Sequence, residues 1–185
     1  MYTVSTYHHG ELRPALLRSA AQLLEKRGPQ ALSLRELARR AGVSHNAPYR
    51  HFAGREALLA ALAAEGFHRL GEALARTAGR DMGEAYVRFA LEHPQRFRLM
   101  FGGQLRLARH RELAQAALQP YEALLTVFRA QPSLADPEKA AAAAWALVHG
   151  LAHLLLDGHF ARQATDPAAF ARAVIGAVRF ASRPG

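Results

Sequence analysis

No segment of this chain alternates apolar and polar residues with a period of two over a strand length, whereas helix start and stop signals recur throughout. An apolar stripe of Leu12, Leu16, Ala20, Leu23 and Leu24 ends at Gly28-Pro29. Pro14 sits in its first turn, where a missing N–H does little harm. Ser33 and Glu36 have capping-box spacing, in which each side chain satisfies the other's free backbone donor. Leu34, Leu37, Ala38 and Ala41 follow on one face, and Gly42 supplies the stop. Ser44 reads as the N-cap of a short helix reaching about Phe52. A long helix is expected from about Arg55 to Arg76, then a loop at Gly79 and Gly83 and a helix over roughly 84–92. Pro94 opens a short helix ending at Gly102-Gly103, and Pro120 is expected to kink or split a helix over 109–130. Asp136-Pro137 and Asp166-Pro167 each place a capping carboxylate before a proline at the first helical position. They open helices at about 137–156 and 167–181, the latter with Phe170, Ala173, Val174, Ala177, Val178 and Ala181 on one stripe. The expectation is an all-α chain of nine helices.

Composition agrees. Of 185 residues 40 are alanine, the best helix former and a poor source of burial energy. The absence of cysteine excludes a disulfide scaffold, a thiolate zinc finger, an iron–sulfur protein and a cysteine nucleophile. The net charge of +9 points to an anionic partner, and 22 of the 24 basic residues are arginine, the better residue for forked contacts to phosphate and guanine. Residues 1–60 hold nine basic and four acidic residues, a net +5, and the 125 residues after them carry the remaining +4. Residues 1–10 do not resemble a secretory signal. Residues 140–156 are apolar but short for a membrane span and contain two histidines, so a helix buried between other helices is the simpler reading. A soluble, cytoplasmic protein is expected.

Residues 33–52 have the layout of a helix-turn-helix, whose second helix enters the major groove while the first crosses the backbone. Ser44, His45 and Asn46 lie where side chains reach base edges, and an asparagine can bond adenine in bidentate fashion. Tyr49, Arg50 and His51 offer donors to phosphate; free amides at Ser33 and Arg55, with Arg35 one turn in, suit the same partner.

The run SLRELARRAGVSHNAPYRHFAGREAL, residues 33–58, resembles the DNA-binding signature of the TetR family of transcriptional regulators. The capped Ser33, the Ala41-Gly42-Val43-Ser44 turn, Tyr49-Arg50-His51-Phe52 and Arg55-Glu56-Ala57-Leu58 carry the likeness, and Tyr7-His8-His9-Gly10-Glu11-Leu12 is similar to the opening of one branch. Trp145, His149 and Gly150, with EHPQRFRLMFG over 92–102, resemble the Trp-His-Gly class of C-terminal domains in that family. The resemblance implies a nine-helix TetR-like fold, with a three-helix DNA-binding domain at 1–53 and a ligand-binding and dimerisation domain at 54–185. It implies that Ser33 and Arg35 touch phosphate, that Ser44, His45, Asn46 and Ala47 face bases, that Tyr49, His51 and Arg55 hold the backbone, and that Phe52 is core. Pro48 stands where the family often has leucine, and Arg55 replaces its usual lysine. The resemblance also implies a homodimer reading a palindromic operator, joined through the helices at about 137–156 and 167–181.

Bulky and polar residues on inward stripes give the expected effector pocket: Phe67, Tyr86, Phe89, His93, Phe97, Met100, Phe101, Tyr121, Phe128, Trp145 and His149. Ordinary core packing is the alternative for each. An aromatic cavity with few charges suits an apolar or aromatic effector. His149, His153 and Asp157 fall at i, i+4 and i+8, as metal ligands could, but two histidines satisfied within an apolar helix are the plainer reading. No cofactor and no metal is expected. An enzyme reading lacks a nucleophile elbow, a phosphate loop or a carboxylate pair. A ligand-independent DNA-binding protein is the alternative to an effector-controlled repressor.

Overall fold

The computed structural model describes residues 11–77, 79 and 81–179. The Tyr7-His8-His9-Gly10 part of the opening motif and Ala181 of the last stripe lie outside them. The described residues form eight α-helices and no strand: α1 Leu12–Arg27, α2 Leu34–Ala41, α3 Arg55–Ala75, α4 Asp81–Glu92, α5 Pro94–Phe101, α6 Arg111–Arg129, α7 Pro137–Leu156 and α8 Pro167–Ala177. Where a ninth helix was expected, after Ser44, there is a 3-10 turn at Ala47–Arg50.

Local signals set most helix ends. Ser33 accepts a hydrogen bond from the Glu36 amide at 3.1 Å, and Asp136 accepts one from the Lys139 amide at 3.0 Å. Asp166 accepts from the amides of Ala168 and Ala169 at 3.0 and 3.1 Å. These side-chain acceptors satisfy N–H groups that have no partner inside the helix. The Ser33–Glu36 capping box is only half made, because the Glu36 carboxylate turns to Arg39 and Arg40 instead.

Three boundaries differ from the sequence expectation. α6 runs through Pro120 without a break. The proline is buried there, so packing offsets the lost intrahelical hydrogen bond. α4 starts at Asp81 and takes in Gly83, a residue expected in a loop. A Cβ at Gly83 would lie 3.2 Å from both Ile175 and Val148, so the glycine marks a close approach rather than a break. α8 ends at Ala177, and Val178 is extended (φ −82°, ψ 139°), so the last stripe leaves the helix before Val178.

The chain divides into two compact units. One comprises the residues up to Gly66 with Gln95–Gln115; the other comprises Phe67–Pro94 with the residues from Ala116 onward. Packing therefore groups the chain differently from a cut at 53/54. In the first unit α1 packs on α2, α2 packs on the 3-10 turn, and Leu16, Leu24, Leu37, Leu58, Leu62 and Phe97 are wholly enclosed. Glu25 of α1 accepts hydrogen bonds from the amides of Gln95 and Arg96, both at 3.1 Å, which caps α5 from a distant stretch of chain. In the second unit α4 packs against both α7 and α8. A bidentate ion pair from Arg172 of α8 to Glu84 of α4, at 2.9 and 2.7 Å, reinforces this. Among the described residues α7 alone is long and apolar enough to cross a membrane, and only 28 % of its most apolar stretch is buried within this single chain.

Candidate functional site

The first site is built on α2 and the turn that follows it. Gly42 adopts the left-handed conformation (φ 65°, ψ 28°), which glycine takes at little cost, and its N–H closes on the carbonyls of Ala38 and Arg39. The Val43 amide then reaches the Ala38 carbonyl at 3.1 Å, so the chain turns sharply out of α2. Beyond the turn the hydrogen bonds run three residues back: Ala47 to Ser44 at 3.0 Å, Tyr49 to Asn46 at 3.2 Å and His51 to Pro48 at 3.0 Å. Pro48 accounts for this tighter winding. Its ring nitrogen has no hydrogen to give the Ser44 carbonyl, which the Ala47 amide takes instead. The sequence expectation of a helix capped by Ser44 is corrected accordingly. Asn46 precedes the 3-10 turn and makes no side-chain capping bond, which leaves its amide available to an outside partner.

Ser33, Arg35, Ser44, His45, Asn46, Tyr49, Arg50 and Arg55 are exposed, Ala47 and His51 are half-buried, and Pro48 and Phe52 are buried. Tyr49 is the most telling of these: 49 % of a large aromatic surface is left to solvent, directly beside a buried proline. The guanidinium of Arg13 lies 5.6 Å from the centre of the Phe52 ring, so Phe52 serves as core and as a platform for a cation.

Two arginine roles escape a reading of motifs. Arg55, expected to hold phosphate, donates from Nε to the Leu32 carbonyl at 3.0 Å and from Nη2 to the Pro29 carbonyl. It thereby ties the start of α3 to the loop before α2, which is a positioning task. Glu36 receives Arg39 at 2.9 and 2.8 Å and Arg40 at 2.8 Å. The two guanidinium groups hold its carboxyl at a pKa of about 2, well below the usual 4.5. Side chains three and four apart on a helix can meet in this way. The sequence does contain that spacing.

The second site is a cavity of about 290 Å³ in the other unit. Tyr86 of α4, Phe128 of α6 and Trp145 of α7, all expected there, line it together with Met82, Gly83, Leu124, Leu134, Val148, Ile175 and Arg179. Tyr86 organises the wall. Its ring meets the Trp145 edge with centroids 5.1 Å apart, and its hydroxyl lies 2.8 Å from Nδ1 of His149. Tyr121 also stands edge-on to Trp145, at 5.8 Å, so Tyr121 and His149 support lining residues without being lining residues themselves. Burial pushes the Tyr86 phenol up and the His149 imidazole down, the latter helped by the nearby His153, so both groups stay neutral near pH 7.

The remaining expected pocket residues do not line this cavity. Phe67 and Phe89 are core, with Phe89 edge-on to His93 at 5.1 Å. Phe97, Met100 and Phe101 belong to the first unit, with Phe97 and Phe101 packed at 4.9 Å. Helical spacing finds an inward face but does not say which interior it meets. Arg179, Ser133 and Gln131 at the cavity were missed for the complementary reason: they sit in loops without periodicity. His149 and His153 stack edge to face at 4.7 Å, and among the described residues no cluster of three or more His, Asp or Glu is placed to hold a metal ion.

Comparison with known proteins covers both regions of the chain. Residues 16–62 match the model described as "Bacterial regulatory proteins, tetR family", and residues 80–178 match a "Tetracyclin repressor-like, C-terminal domain". The HTH-type transcriptional repressor Rv3405c of Mycobacterium tuberculosis is 38 % identical over 52 residues, which is 28 % of this chain and 28 % of that protein. The match thus spans little more than a quarter of that relative's length. Over the whole fold, a protein of unknown function from Rhodococcus sp. RHA1 is 35 % identical, with a TM-score of 0.78 over 94 % of this chain and 98 % of the other. Reduced NemR of Escherichia coli, at 21 % identity, shares the fold with a TM-score of 0.67 over 94 % and 98 % of the two chains. A TetR variant of Acinetobacter baumannii solved with minocycline shares it at 19 % identity, with a TM-score of 0.58 over 89 % and 94 %. With one domain model covering more than half of its length and a second covering the α2–turn–α3 region, the chain belongs to the TetR family of transcriptional regulators.

Proposed function

We propose that the protein is a cytoplasmic, ligand-responsive transcriptional repressor that binds a palindromic operator as a homodimer and leaves it when a small, largely apolar effector enters the α4–α7–α8 cavity. Residues 1–53 read DNA in this view, and 54–185 bind ligand and dimerise. The observation that carries it is the capped α2, Gly42 turn and 3-10 segment, which leaves Ser44, His45, Asn46 and Tyr49 exposed. Ser44 to Asn46 are the base readers, Tyr49, Arg50 and His51 contact the backbone, and Ser33 and Arg35 meet phosphate at the start of α2. The name of the mycobacterial relative supports repression, and the complex of the Acinetobacter protein with minocycline supports a small-molecule ligand.

Dimerisation is assigned to α7 and α8. Ala142, Ala143, Ala146 and Leu154 of α7 and Ala169, Ala173 and Ala177 of α8 are exposed, and a Cβ built at Gly150 or Gly176 meets nothing within 4 Å. Small residues on two uncovered helices permit close approach of a second copy by two-fold symmetry. Effector control follows when the ligand binds one conformer of the dimer better than the DNA-bound one, and the shift equals that difference in affinity.

The test is binding to DNA upstream of the protein's own gene, followed by footprinting and fluorescence anisotropy with the protected palindrome. Tyr49→Ala weakens binding to every duplex, whereas Asn46→Ala relaxes preference at one base position by about 1–3 kcal/mol. Equal affinity of the wild-type protein for the palindrome and for random DNA overturns the operator reading. Tight operator binding that no compound in a broad ligand library releases overturns the effector reading and favours a ligand-independent DNA-binding protein.

A further inference from the structure

Among the described residues seventeen line the α4–α7–α8 cavity, and Arg179 is the only one of them that carries a charge at neutral pH. Among the described residues no Asp, Glu or His lines it, and the Tyr86 phenol is kept neutral by burial. Of the neighbouring acids of the same unit, Glu84 pairs with Arg172, Glu138 with Arg129 and Asp136 with Lys139, while the charges of Asp81 and Asp166 also act on Arg172. Arg179 follows the end of α8, and among the described residues only its Nη1 donates, to the carbonyls of Gly176 and Val178. That anchors the side chain while leaving Nε and Nη2 for a further acceptor, in the forked geometry that suits a carboxylate.

The geometry points to an organic monoanion as the occupant: an aryl or alkyl body against Trp145, Phe128 and Leu124, with one carboxylate at Arg179. This rests on the reading of the cavity as the effector site and narrows its ligand class. The rest of the wall is apolar apart from Ser133, Gln131 and the committed Tyr86 hydroxyl, so it rewards burial of an apolar body. Arg179 itself is exposed, which puts the charged end of the ligand at the mouth. A carboxylate held there keeps part of its hydration, so its desolvation cost is small while the apolar end is enclosed. A cationic ligand would bring a second positive charge beside Arg179. A neutral ligand gains the walls but not the guanidinium.

Trp145 is the one tryptophan of the chain and lines the cavity, so its fluorescence reports occupancy without a label. The probes are 4-phenylbutyrate and 6-phenylhexanoate, each against its own primary amide, titrated into the full-length protein at pH 7.5. The expected result is that each acid binds about tenfold more tightly than its amide. The acid-to-amide ratio falls to about one in Arg179→Gln and stays several-fold in Arg179→Lys. Because the readout is a ratio within one variant, any loosening of the end of α8 cancels. A ratio of one in the wild-type protein, or a ratio unchanged in Arg179→Gln, overturns the anion assignment and leaves the cavity reading standing. Failure of all four probes to change Trp145 emission up to millimolar concentration overturns the cavity reading and the anion assignment together.

Discussion

The Tyr86 hydroxyl and Nδ1 of His149 lie 2.8 Å apart, joining α4 to α7 across 63 positions of sequence. A protonated phenol donates to a bare Nδ1 or accepts from an Nδ1–H, according to the His149 tautomer. Tyr86→Phe strips the imidazole of that partner inside a half-buried wall. The expected loss is about 1 kcal/mol, a fall of roughly 2–4 °C in melting temperature for a chain of this size, measured by calorimetry.

The same contact sets a pH dependence. Burial first, and the charge of His153 second, lower the His149 pKa below its usual 6.5. A group whose folded pKa is depressed favours the folded state above its unfolded value. That contribution is therefore complete above pH 6.5 and is lost as pH falls through the lowered folded value. Melting curves between pH 7.5 and 5 should show the wild-type chain losing stability faster on the acid side than His149→Asn. Parallel curves would show that His149 titrates normally.

Gly42 gives a clean test of the turn. Its φ of 65° is strained for any L side chain, yet a Cβ there meets nothing within 4 Å. The cost of Gly42→Ala is thus a backbone cost alone, about 1–2 kcal/mol, and Gly42→Asn should recover part of it. Equal melting temperatures for glycine and alanine at this position would mean that the turn relaxes to another conformation.

Glu36 restrains two arginines on the face proposed to meet DNA. Glu36→Gln frees Arg39 and Arg40 from their carboxylate and adds one unit of positive charge to that face. Affinity for random duplex should rise, with a steeper fall as salt is added, because each extra phosphate contact releases counterions. The slope of log affinity against log salt is the measurement. An unchanged slope would place Arg39 and Arg40 away from the phosphates. NMR titration of Glu36 offers an independent check: its carboxyl should titrate near 2, so the stabilisation it gives is present above pH 4.5 and lost as pH falls through about 2.

Leu154 tests the proposed dimer. It is 40 % exposed on α7, so Leu154→Glu should leave the single chain folded. A carboxylate facing its two-fold mate would instead break the pairing, which sedimentation velocity reads as a shift from dimer to monomer. A variant that still sediments as a dimer would move the interface off this face.

The features legible in the sequence were those whose cause is local. Ser33, Asp136, Asp166 and Gly42 act on backbone groups within three or four residues, so their roles can be read from spacing. Pro48 was visible as a departure, but its effect, a 3-10 turn in place of a helix, depends on which carbonyl loses its donor. Pro120 misled in the opposite direction, because burial in α6 outweighs a missing hydrogen bond. Membership of the cavity was the least readable feature. Phe97 and Trp145 look alike as inward aromatics, and only the division into two units separates them. Arg55 and Arg179 spend hydrogen bonds on main-chain carbonyls, Arg55 on carbonyls more than twenty residues away, and no motif records that.

The brevity of the 3-10 turn at Ala47–Arg50 has a consequence for where such a protein can act. On the proposed reading, three neighbouring side chains, Ser44, His45 and Asn46, address a word of about three base pairs. A word that short is spelled many times within any gene, so one chain alone can cling to DNA but cannot choose an address on it. Selectivity must then come from spelling the word twice at a fixed interval. Anything that alters the distance between two such turns, even by a fraction of a helical repeat, erases the address while leaving every individual reader intact.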